Sequence, residues 1–374
     1  MRVNVQNRNK KYLFAGGGTG GHLFPALAIA DEIKKLQPDA DILFVGTKNK
    51  IEAQVVPQKG YKFRTIWISG FQRSLRIQNL LFPIKVIVAM LQSLNILKKF
   101  LPDIVIGTGG YVSGPVLYMA SILGIKTVIH ESNSYPGVVT RLLSKRMTKV
   151  FLTFEETKKW LKTMNNSEIT GNPTRDLLEN VNRNEALEFF GLEGNKKTLL
   201  VFGGSLGSAS INNAIIKIIE KFIIKNIQVI WQTGTTDYER IEKELMRLKV
   251  ITSTGVLLAK FIDRMEYAYA AADVVISRAG ATTIAELTRL GKAAILVPYP
   301  HAAADHQTLN SKILVNAGAA MMLTDNELND KLENAAMRLI NNDDVRRIMS
   351  EKSKNLGQPQ ASYNITQKIF DMVN

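Results

Sequence analysis

The residues whose types and spacing could do chemistry lie in the stretch 274–300, and the most informative of them is a carboxylate. Glu286 falls in the first turns of a predicted helix, where it could accept the two hydroxyls of a ribose while the preceding turn binds the phosphates. Glu286 also stands three positions after Thr283, which is the spacing of a capping box that only stabilises the helix start. The spacing alone leaves both interpretations open.

A strand, a turn and a helix must position that carboxylate. The β-branched run 274–276 predicts a buried strand, and the small residues 277–281 permit a tight turn. A helix is predicted to begin at Thr282 or Thr283, and the apolar run 293–297 predicts the next strand. In open α/β sheets ligands bind at the carboxyl ends of strands, where helix N-termini offer unpaired N–H groups to an anion.

Glycine-rich loops recur in the same kind of position elsewhere in the chain. Residues 16–22 follow a short strand and precede a helix, so their backbone N–H groups could approach a phosphate closely. Their GxGxxG spacing is also typical of dinucleotide sites, but the acidic residue expected about 20 positions later has no clear candidate. A second glycine loop lies at 107–114 and a third at 203–208.

The third glycine loop shows that the chain repeats its opening. The run Gly171, Asn172 and Pro173 breaks the pattern, and a new strand, glycine loop and helix follow it. We therefore predict one domain over 1–173 and a second over 174–359. Alternation of strands with helices predicts an α/β fold of two Rossmann-like, doubly wound parallel-sheet domains facing across a cleft.

Composition narrows the class of protein. The chain has 374 residues, 45% of them hydrophobic and 22% charged, which is typical of a globular protein large enough for two domains. The absence of cysteine excludes disulfides and thiolate metal sites and is typical of a reducing cytoplasm. A formal charge of +15 suits an anionic partner, but the sequence shows no helix-turn-helix, RNP or zinc pattern.

The segment 75–101 is apolar enough to suggest a membrane span. Polar residues and a proline interrupt it, whereas a spanning helix needs about 20 mostly apolar residues, so we predict no span. One interpretation is a partly buried core helix over about 84–99. The other is that Leu80, Leu81 and Phe82 are exposed and enter the surface of a bilayer.

Six short motifs occur in order along nearly the whole chain. They are residues 17–22 (GGTGGH), 109–114 (GGYVSG), 130–133 (HExN), 171–175 (GNPxR), 203–207 (GGSxG) and 277–286 (SRAGAxTxxE). Together they resemble the MurG family of peptidoglycan glycosyltransferases, glycosyltransferase family 28. The resemblance implies a GT-B fold and a metal-independent, inverting transfer of N-acetylglucosamine from UDP-N-acetylglucosamine to lipid I, which gives lipid II. It also implies that a C-terminal helix at about 360–374 packs back onto the first domain.

The resemblance assigns residues to the donor substrate. Glu286 would take the ribose hydroxyls, Ile262 the uracil edge through its backbone, and Ser205 with its loop the diphosphate. Arg175 and Asn133 would reach across the cleft, and Gln307, preceded by His306, would contact the sugar hydroxyls. The sequence ADHQ at 304–307 departs from members that have two glutamines there. The full set expected at the donor is Thr19, Gly20, Gly21, Asn133, Arg175, Ser205, Ile262, Ala281, Thr282, Thr283, Glu286, His306 and Gln307.

An inverting displacement of UDP needs a base for the acceptor hydroxyl and fixed dipoles for the departing diphosphate. His22 is the first candidate, because a helix N-terminus favours the neutral imidazole that a base requires. The other interpretation is a ring that only caps the backbone. Tyr111 and Glu131 are alternative catalytic residues, and Tyr111 could instead position the acceptor. The residues expected at the acceptor diphosphate are Gly18, Gly109, Gly110 and Ser113.

An undecaprenyl acceptor would account for the basic charge of the chain. The resemblance therefore implies a peripheral protein on the cytoplasmic face of the bacterial inner membrane, with Leu80, Leu81 and Phe82 in contact with lipid. The partners expected are UDP-N-acetylglucosamine, lipid I, an anionic membrane surface and other cell-wall enzymes. No cofactor, metal or nucleic acid is expected.

Other functions fit parts of the same pattern. A UDP-N-acetylglucosamine 2-epimerase has the same architecture but needs additional carboxylates and histidines around the sugar, and no affinity for lipid. A related glycolipid glycosyltransferase would share the donor-side pattern. A non-catalytic nucleotide-sugar-binding subunit would not need the glycine loops of the first half.

Overall fold

The structure is a computed structural model that describes residues 9–70, 81–162, 164–204, 206–250 and 255–374. The chain divides into two compact units. The first unit consists of Met1–Thr174 together with Pro359–Asn374, and the second is Arg175–Gln358. Each unit is a parallel sheet with helices packed on it, so the predicted α/β fold is confirmed.

Within the described ranges, the sheet of the first unit has seven strands, all paired in parallel. The strands are β1 Lys11–Gly16, β2 Asp41–Gly46, β3 Lys62–Thr65, β4 Ile104–Gly109, β5 Lys126–Glu131, β6 Lys149–Leu152 and β7 Ser167–Ile169. Their order is β3-β2-β1-β4-β5-β6-β7. The order reverses between β1 and β4, so the loops that leave these two neighbouring strands form the expected ligand position.

The sheet of the second unit repeats this arrangement with six strands among the residues described. They are β8 Thr198–Phe202, β9 Gln228–Gln232, β10 Val256–Ala259, β11 Val274–Arg278, β12 Ala293–Val297 and β13 Met321–Met322. The order β10-β9-β8-β11-β12-β13 reverses between β8 and β11. The third glycine loop follows β8 and the turn before Glu286 follows β11, so both predicted loops lie at the reversal.

Fourteen α-helices lie between or after these strands in the described part of the chain. They are α1 Gly20–Leu36, α2 Ile51–Gln58, α3 Phe82–Phe100, α4 Ser113–Ile122, α5 Val138–Leu143, α6 Arg183–Phe190, α7 Ala209–Ile224, α8 Tyr238–Arg247, α9 Met265–Ala271, α10 Ala281–Leu290, α11 His306–Asn316, α12 Leu328–Asn341, α13 Asp343–Asn355 and α14 Ala361–Val373.

Most side chains in the strands near each reversal are apolar and buried, because helices cover both faces of the sheet. In β1 the side chains of Tyr12, Leu13 and Phe14 are all fully buried, although they alternate between the two faces. The C-terminal helix α14 contributes to this core, and the ring of Phe370 lies 6.3 Å from that of Tyr12. The last helix of the chain therefore stabilises the first unit.

Helix α3 occupies most of the apolar segment 75–101. It buries Ala89, Ser93 and Leu97, as the core-helix interpretation expects. Its opposite side leaves Ile87 and Leu91 about 60% exposed, so the helix is only partly a core helix. Among the described residues, no helix has the length and hydrophobicity needed to cross a membrane.

Candidate active site

The first unit brings its two glycine loops into contact at the ends of β1 and β4. Gly110 has a φ of +77°, and a Cβ atom on it would lie only 2.4 Å from the carbonyl oxygen of Gly17. Gly109 has a φ of +103°, and a Cβ atom there would lie 2.6 Å from Nδ1 of His22. Only glycine allows both the backbone conformation and the close approach. The structure thus places Gly109, Gly110 and His22 together.

His22 lies in the first turn of α1 and is bonded to the loop that follows β4. Its Nδ1 is 3.1 Å from the carbonyl oxygen of Thr108, and the Thr108 hydroxyl donates to the carbonyl of His22 over 2.7 Å. Because a carbonyl can only accept, Nδ1 carries the hydrogen and the lone pair of a neutral ring is on Nε2. This tautomer is the one that a base acting through Nε2 requires.

A buried carboxylate that the sequence did not predict lies beneath the first glycine loop. Glu52, in α2, is fully buried and accepts hydrogen bonds from the N–H of Gly18 at 2.9 Å, the N–H of Thr47 at 3.0 Å and the Thr47 hydroxyl at 2.8 Å. The N–H of Gly18 is therefore already bonded. This bond is evidence against the predicted contact between Gly18 and the acceptor diphosphate.

Tyr111 packs against the same loop. Its ring and hydroxyl lie 3.2–3.4 Å from the position that a Cβ atom would take on Gly18. Burial, followed by the negative charge of Glu52, raises the pKa of the Tyr111 phenol, so it stays protonated at neutral pH. A protonated phenol can donate a hydrogen bond to a substrate but cannot accept its proton, which favours the positioning role over the base role.

Glu131 ends β5 and is almost completely buried. Its carboxylate accepts hydrogen bonds from the N–H of Asn133 at 3.1 Å, the side-chain amide of Asn133 at 3.3 Å, the N–H of Gly137 at 2.9 Å and the Thr140 hydroxyl at 2.7 Å. Both carboxylate oxygens are thus used to hold the turn that leads into α5. This arrangement favours a structural role for Glu131, with Asn133 fixed by it.

Two longer helices of the first unit begin at the glycine loops. Thr19 is the N-cap of α1, and Gly20 and Gly21 are its first two residues, whose N–H groups have no acceptor within the helix. Ser113 is the first residue of α4, and its hydroxyl donates to the carbonyl of Gly110 over 2.8 Å. Because the macrodipole adds partial positive charge at each start, both helix N-termini favour an anion.

The second unit presents the same kind of helix starts at the ends of β8 and β11. Helix α7 begins after Ser208, whose hydroxyl accepts from the N–H of Ile211 at 3.5 Å. Helix α10 begins with Ala281, Thr282 and Thr283 after the N-cap Gly280. Ser205, predicted to hold the donor diphosphate, lies outside the described residues, so its prediction is untested.

Glu286 does not cap the helix that carries it. Its carboxylate accepts from Arg175 through Nη2 at 3.0 Å and Nε at 3.3 Å, and from the hydroxyl of Tyr269 at 2.9 Å. The N-cap of α10 is Gly280, with no side-chain capping bond, so the capping-box interpretation is wrong. Burial, together with the charge of Glu286, raises the pKa of Tyr269 well above its usual value and keeps its hydroxyl a donor.

Arg175 lies in the second unit itself and is fixed there from two sides. Its guanidinium holds Glu286, and its carbonyl accepts a hydrogen bond from Arg289 at 3.2 Å. Arg289 is in turn paired with Glu179 at 3.0 Å. Arg175 therefore supports the Glu286 carboxylate in this structure, whereas the sequence predicted that it reaches across the cleft.

A glutamine at the end of β9 connects two predicted donor-binding segments. Gln232 accepts from the N–H of Ile262 at 2.8 Å and donates to the carbonyl of Gly204 at 2.9 Å. Since the N–H of Ile262 is occupied, its carbonyl is the backbone atom that can accept a hydrogen bond from a uracil N–H. Gln232 is therefore a further residue of this site, one that the sequence did not predict.

His306 and Gln307 begin α11 after a strained turn. Ala304 and Asp305 have φ values of +52° and +54°, which non-glycine residues rarely adopt. Nδ1 of His306 is 2.8 Å from the carbonyl of Ala303, and the side-chain oxygen of Gln307 accepts from the N–H of Tyr299 at 2.9 Å. The left-handed turn at Ala304 and Asp305 sets the direction in which the predicted sugar-binding residues enter α11.

The described residues contain no group of three or more histidines and carboxylates that could hold a metal ion.

Comparison with known proteins covers nearly the whole chain. The model of the glycosyltransferase family 28 N-terminal domain matches residues 12–152, and that of the C-terminal domain matches residues 198–366. The chain is 42% identical over 365 residues to the UDP-N-acetylglucosamine–N-acetylmuramyl-(pentapeptide) pyrophosphoryl-undecaprenol N-acetylglucosamine transferase of Flavobacterium psychrophilum, with 97% of this chain and 98% of the relative covered. It is likewise 42% identical over 373 residues to the protein of that name from Parabacteroides distasonis, with 98% and 99% covered.

Solved structures match nearly the whole length of the chain. The crystal structure of Acinetobacter baumannii MurG matches with a TM-score of 0.74 and 26% identity, covering 97% of this chain and 99% of that one. A UDP-GlcNAc 2-epimerase from Neisseria meningitidis matches with a TM-score of 0.66 at 15% identity, covering 97% and 100%, which shows a shared fold alone. The first of these matches supports the GT-B fold that the motifs imply.

Proposed function

The chain belongs to glycosyltransferase family 28, and we propose that it transfers N-acetylglucosamine from UDP-N-acetylglucosamine to the C4 hydroxyl of the N-acetylmuramic acid of lipid I. The product is lipid II, the lipid-linked disaccharide used for peptidoglycan synthesis. The observation that carries this proposal is the 42% identity to transferases of that name over 97% of the chain, because it spans both units and not the donor side alone.

The donor is assigned to the second unit. The ribose hydroxyls would donate to the carboxylate of Glu286, which Arg175 and Tyr269 already hold in a fixed direction. The diphosphate would lie at the starts of α7 and α10, where helix N–H groups favour an anion. The carbonyl of Ile262 would accept from the uracil, and Gln307 with His306 would contact the sugar.

The acceptor is assigned to the first unit, with His22 as the base. Nε2 of His22 would take the proton of the C4 hydroxyl as that oxygen bonds to C1 of the sugar. The bond from C1 to UDP then breaks, its electron pair leaves with UDP, and the configuration at C1 is inverted. Gly109, Gly110 and Ser113, at the start of α4, would bind the diphosphate of the acceptor.

The transfer needs no metal ion in this proposal. Two helix N-termini in the second unit supply partial positive charge where negative charge develops on the departing UDP. The test is transfer of radiolabelled sugar from UDP-N-acetylglucosamine to a lipid I analogue in the presence of EDTA. Formation of labelled lipid-linked disaccharide is expected. Binding of UDP without any transfer would overturn the proposal, and interconversion with UDP-N-acetylmannosamine would then indicate an epimerase.

We also propose that the chain binds the cytoplasmic face of the bacterial inner membrane through a membrane patch formed by Trp67, Leu81, Ile84, Ile87 and Leu91. These side chains are 45–62% exposed, and four of them recur at helical spacing along α3 and its N-cap. Leu80 lies outside the described residues and Phe82 is only partly exposed, so the patch extends further along the helix than the predicted segment.

Charge near the membrane patch fits an anionic surface. Lys85 lies over the ring of Trp67, 5.7 Å from its centroid, and Lys98 and Lys99 stand exposed in the last turn of α3. Each lysine near an anionic bilayer contributes about 1 kcal/mol of attraction. The apolar side chains would add the larger part, at about 1.5–3 kcal/mol for each one fully buried in lipid.

The membrane patch is tested by sedimentation with vesicles that contain anionic lipid. The double variant Ile87→Ser, Leu91→Ser is expected to bind at least about tenfold more weakly, because two apolar side chains no longer enter the lipid. Ile224→Ser is the matched control, since Ile224 is 79% exposed but belongs to the second unit. Equal binding of the double variant and the control would contradict the assignment.

A further inference from the structure

The buried carboxylate of Glu52 has no part in the transfer as described, although it touches the first glycine loop directly. Within the described part of the chain it forms no ion pair, and its charge is balanced by three hydrogen-bond donors from Gly18 and Thr47. A buried charge without such donors would be very costly. The sequence therefore keeps a charged group at this position when a neutral one could fill the space at a lower desolvation cost.

Two glycines make room for this carboxylate. A Cβ atom on Gly17 would lie 2.5 Å from the carboxyl carbon of Glu52, and one on Gly46 would lie 2.5 Å from its Cγ. Neither glycine has a left-handed φ, so backbone conformation does not explain them. Gly17 is required because of Glu52, and Gly46 because of both Glu52 and the ring of Phe63, which would lie 2.8 Å from its Cβ atom.

The other side of the loop contacts the residues of the proposed reaction. The carbonyl of Gly17 packs against Gly110, and Gly18 packs against the ring of Tyr111. The loop that contains Gly110 begins directly after Thr108 and Gly109, the residues that contact the His22 ring. Glu52 thus holds the N–H of Gly18 on one side of the loop. On the other side the carbonyl of Gly17 lies against Gly110, next to the residues that contact the His22 ring.

We propose that Glu52 is a positioning residue that sets the first glycine loop for catalysis and keeps the acceptor diphosphate away from Gly18. An anion at Gly18 would find its N–H already bonded and would meet the negative charge of Glu52. The diphosphate is therefore directed to Gly109, Gly110 and the start of α4, which orients the C4 hydroxyl toward His22. This inference rests on the proposed function, since it specifies where the acceptor binds.

The test compares Glu52→Gln with the unchanged chain in three measurements. Glutamine has the same volume but only one acceptor oxygen. That oxygen satisfies more donors when it faces the N–H and hydroxyl of Thr47, which turns the NH2 group toward Gly18, so the bond from the N–H of Gly18 is expected to be lost. We expect kcat with a lipid I analogue to fall about tenfold or more, which corresponds to the loss of one hydrogen bond to a charged group. The affinity for UDP, which the second unit binds, is expected to stay within about twofold.

Glu32→Gln is the matched control, because Glu32 is also a buried carboxylate and lies in the helix that the loop precedes. It is expected to leave kcat unchanged. Thr47→Val is the second variant, for the case that Glu52→Gln does not fold. It removes the hydroxyl that donates to Glu52 and also hydrogen-bonds Tyr111, and it is expected to lower kcat less than Glu52→Gln.

Hydrogen exchange of the Gly18 amide, followed by NMR, tests the geometry without any transfer assay. Strong protection of that amide is expected in the unchanged chain, and loss of protection in Glu52→Gln. An unprotected Gly18 amide in the unchanged chain would overturn the proposal, and so would a normal kcat in a folded Glu52→Gln variant. If the unchanged chain showed this protection but made no lipid-linked product, the proposed function would fail while the contact itself stood.

Discussion

In the first unit a buried carboxylate is bonded to the backbone of the glycine loop, whereas in the second unit the buried carboxylate is bonded to other side chains. Glu52 accepts from Gly18 and Thr47, and Glu286 accepts from Arg175 and Tyr269. The two sheets reverse their strand order at the same place, between the first and fourth strands of each unit. One topology thus supports two different uses of a carboxylate.

The difference follows from what each carboxylate is bonded to. The acceptors of Glu52 are occupied by two backbone N–H groups and one hydroxyl, so this residue determines the shape of the loop. Glu286 also receives three hydrogen bonds, but they come from side chains: Arg175 gives two to Oε1 and Tyr269 one to Oε2. A lone pair on Oε2 is left for a further donor such as a ribose hydroxyl. Changes in the first unit should therefore alter the rate of transfer, and changes in the second unit the affinity for the donor.

The largest effect is expected for His22→Ala. Loss of a positioned general base lowers kcat by about 10²–10⁴-fold, while UDP affinity is expected to change little because the donor is assigned to the second unit. Steady-state transfer assays and calorimetric titration with UDP measure the two effects separately. A decrease of less than tenfold in kcat would assign the base to another residue and would break the contrast between the units.

A smaller effect, on the affinity for UDP and not on kcat, is expected for Glu286→Gln. The variant weakens the hydrogen bonds from ribose by about 1.5–3 kcal/mol, the range for a charged acceptor, so UDP affinity should fall about 10–100-fold. Asp273→Asn is the matched control: Asp273 pairs with Arg183 at 2.9 Å at the other end of β11. The control should lower the free energy of unfolding but leave UDP affinity unchanged. Equal losses of affinity would indicate a purely structural role for Glu286.

Local patterns were sufficient to predict the fold and the loops of the site. Buried β-branched runs, the glycines after them and the helices that follow are visible in the sequence, and the structure has them at the reversal points of both sheets. The His22 ring and the loop at Gly109 and Gly110 meet for the same reason, since β1 and β4 are neighbours in a parallel sheet. Each of these features depends on a short segment and a general rule of topology.

The partners of the two carboxylates depend on contacts that no local pattern contains. Glu286 has capping-box spacing to Thr283, but Arg175, 111 positions earlier, decides its role. Glu52 lies in the helix after β2, beyond the strand end where an acidic residue is normally sought, and it reaches Gly18 only because β2 pairs with β1. An acidic residue in the first turn of that helix was the available signal.

The next effect is on the free energy of unfolding of the first unit, which should depend on pH through His130. His130 is buried, its Nε2 donates to the carbonyl of Gly171 at 3.0 Å, and burial lowers its pKa to about 4. The unfolded chain binds this proton near pH 6.5 and the folded chain does not. The free energy of unfolding should therefore fall by about 1.4 kcal/mol per pH unit from this residue as the pH drops from about 6.5 toward 4.

Native-state hydrogen exchange of amides in the two sheets measures this pH dependence for each unit. The variant His130→Gln keeps an N–H donor but cannot titrate, so the part of the slope due to His130 should disappear in the first unit. The slope in the second unit should be the same in both proteins. A slope in the first unit that is unchanged by the substitution would show that His130 is not buried as a neutral ring.

The smallest effect is expected for Tyr269→Phe, which removes one of the two side chains that hold Glu286. The lost hydrogen bond corresponds to about 0.5–1.5 kcal/mol, so UDP affinity should fall about two- to tenfold. The loss is smaller than for Glu286→Gln because Arg175 still holds the other carboxylate oxygen. Tyr267→Phe is the matched control, since its hydroxyl lies on the same helix but donates to Glu185 at 2.7 Å, away from the donor residues. If both phenylalanine variants bound UDP like the unchanged chain, Arg175 alone would fix the Glu286 carboxylate. UDP binding by the second unit would then depend on the ion pair between Arg175 and Glu286, and the hydroxyl of Tyr269 would have no part in it.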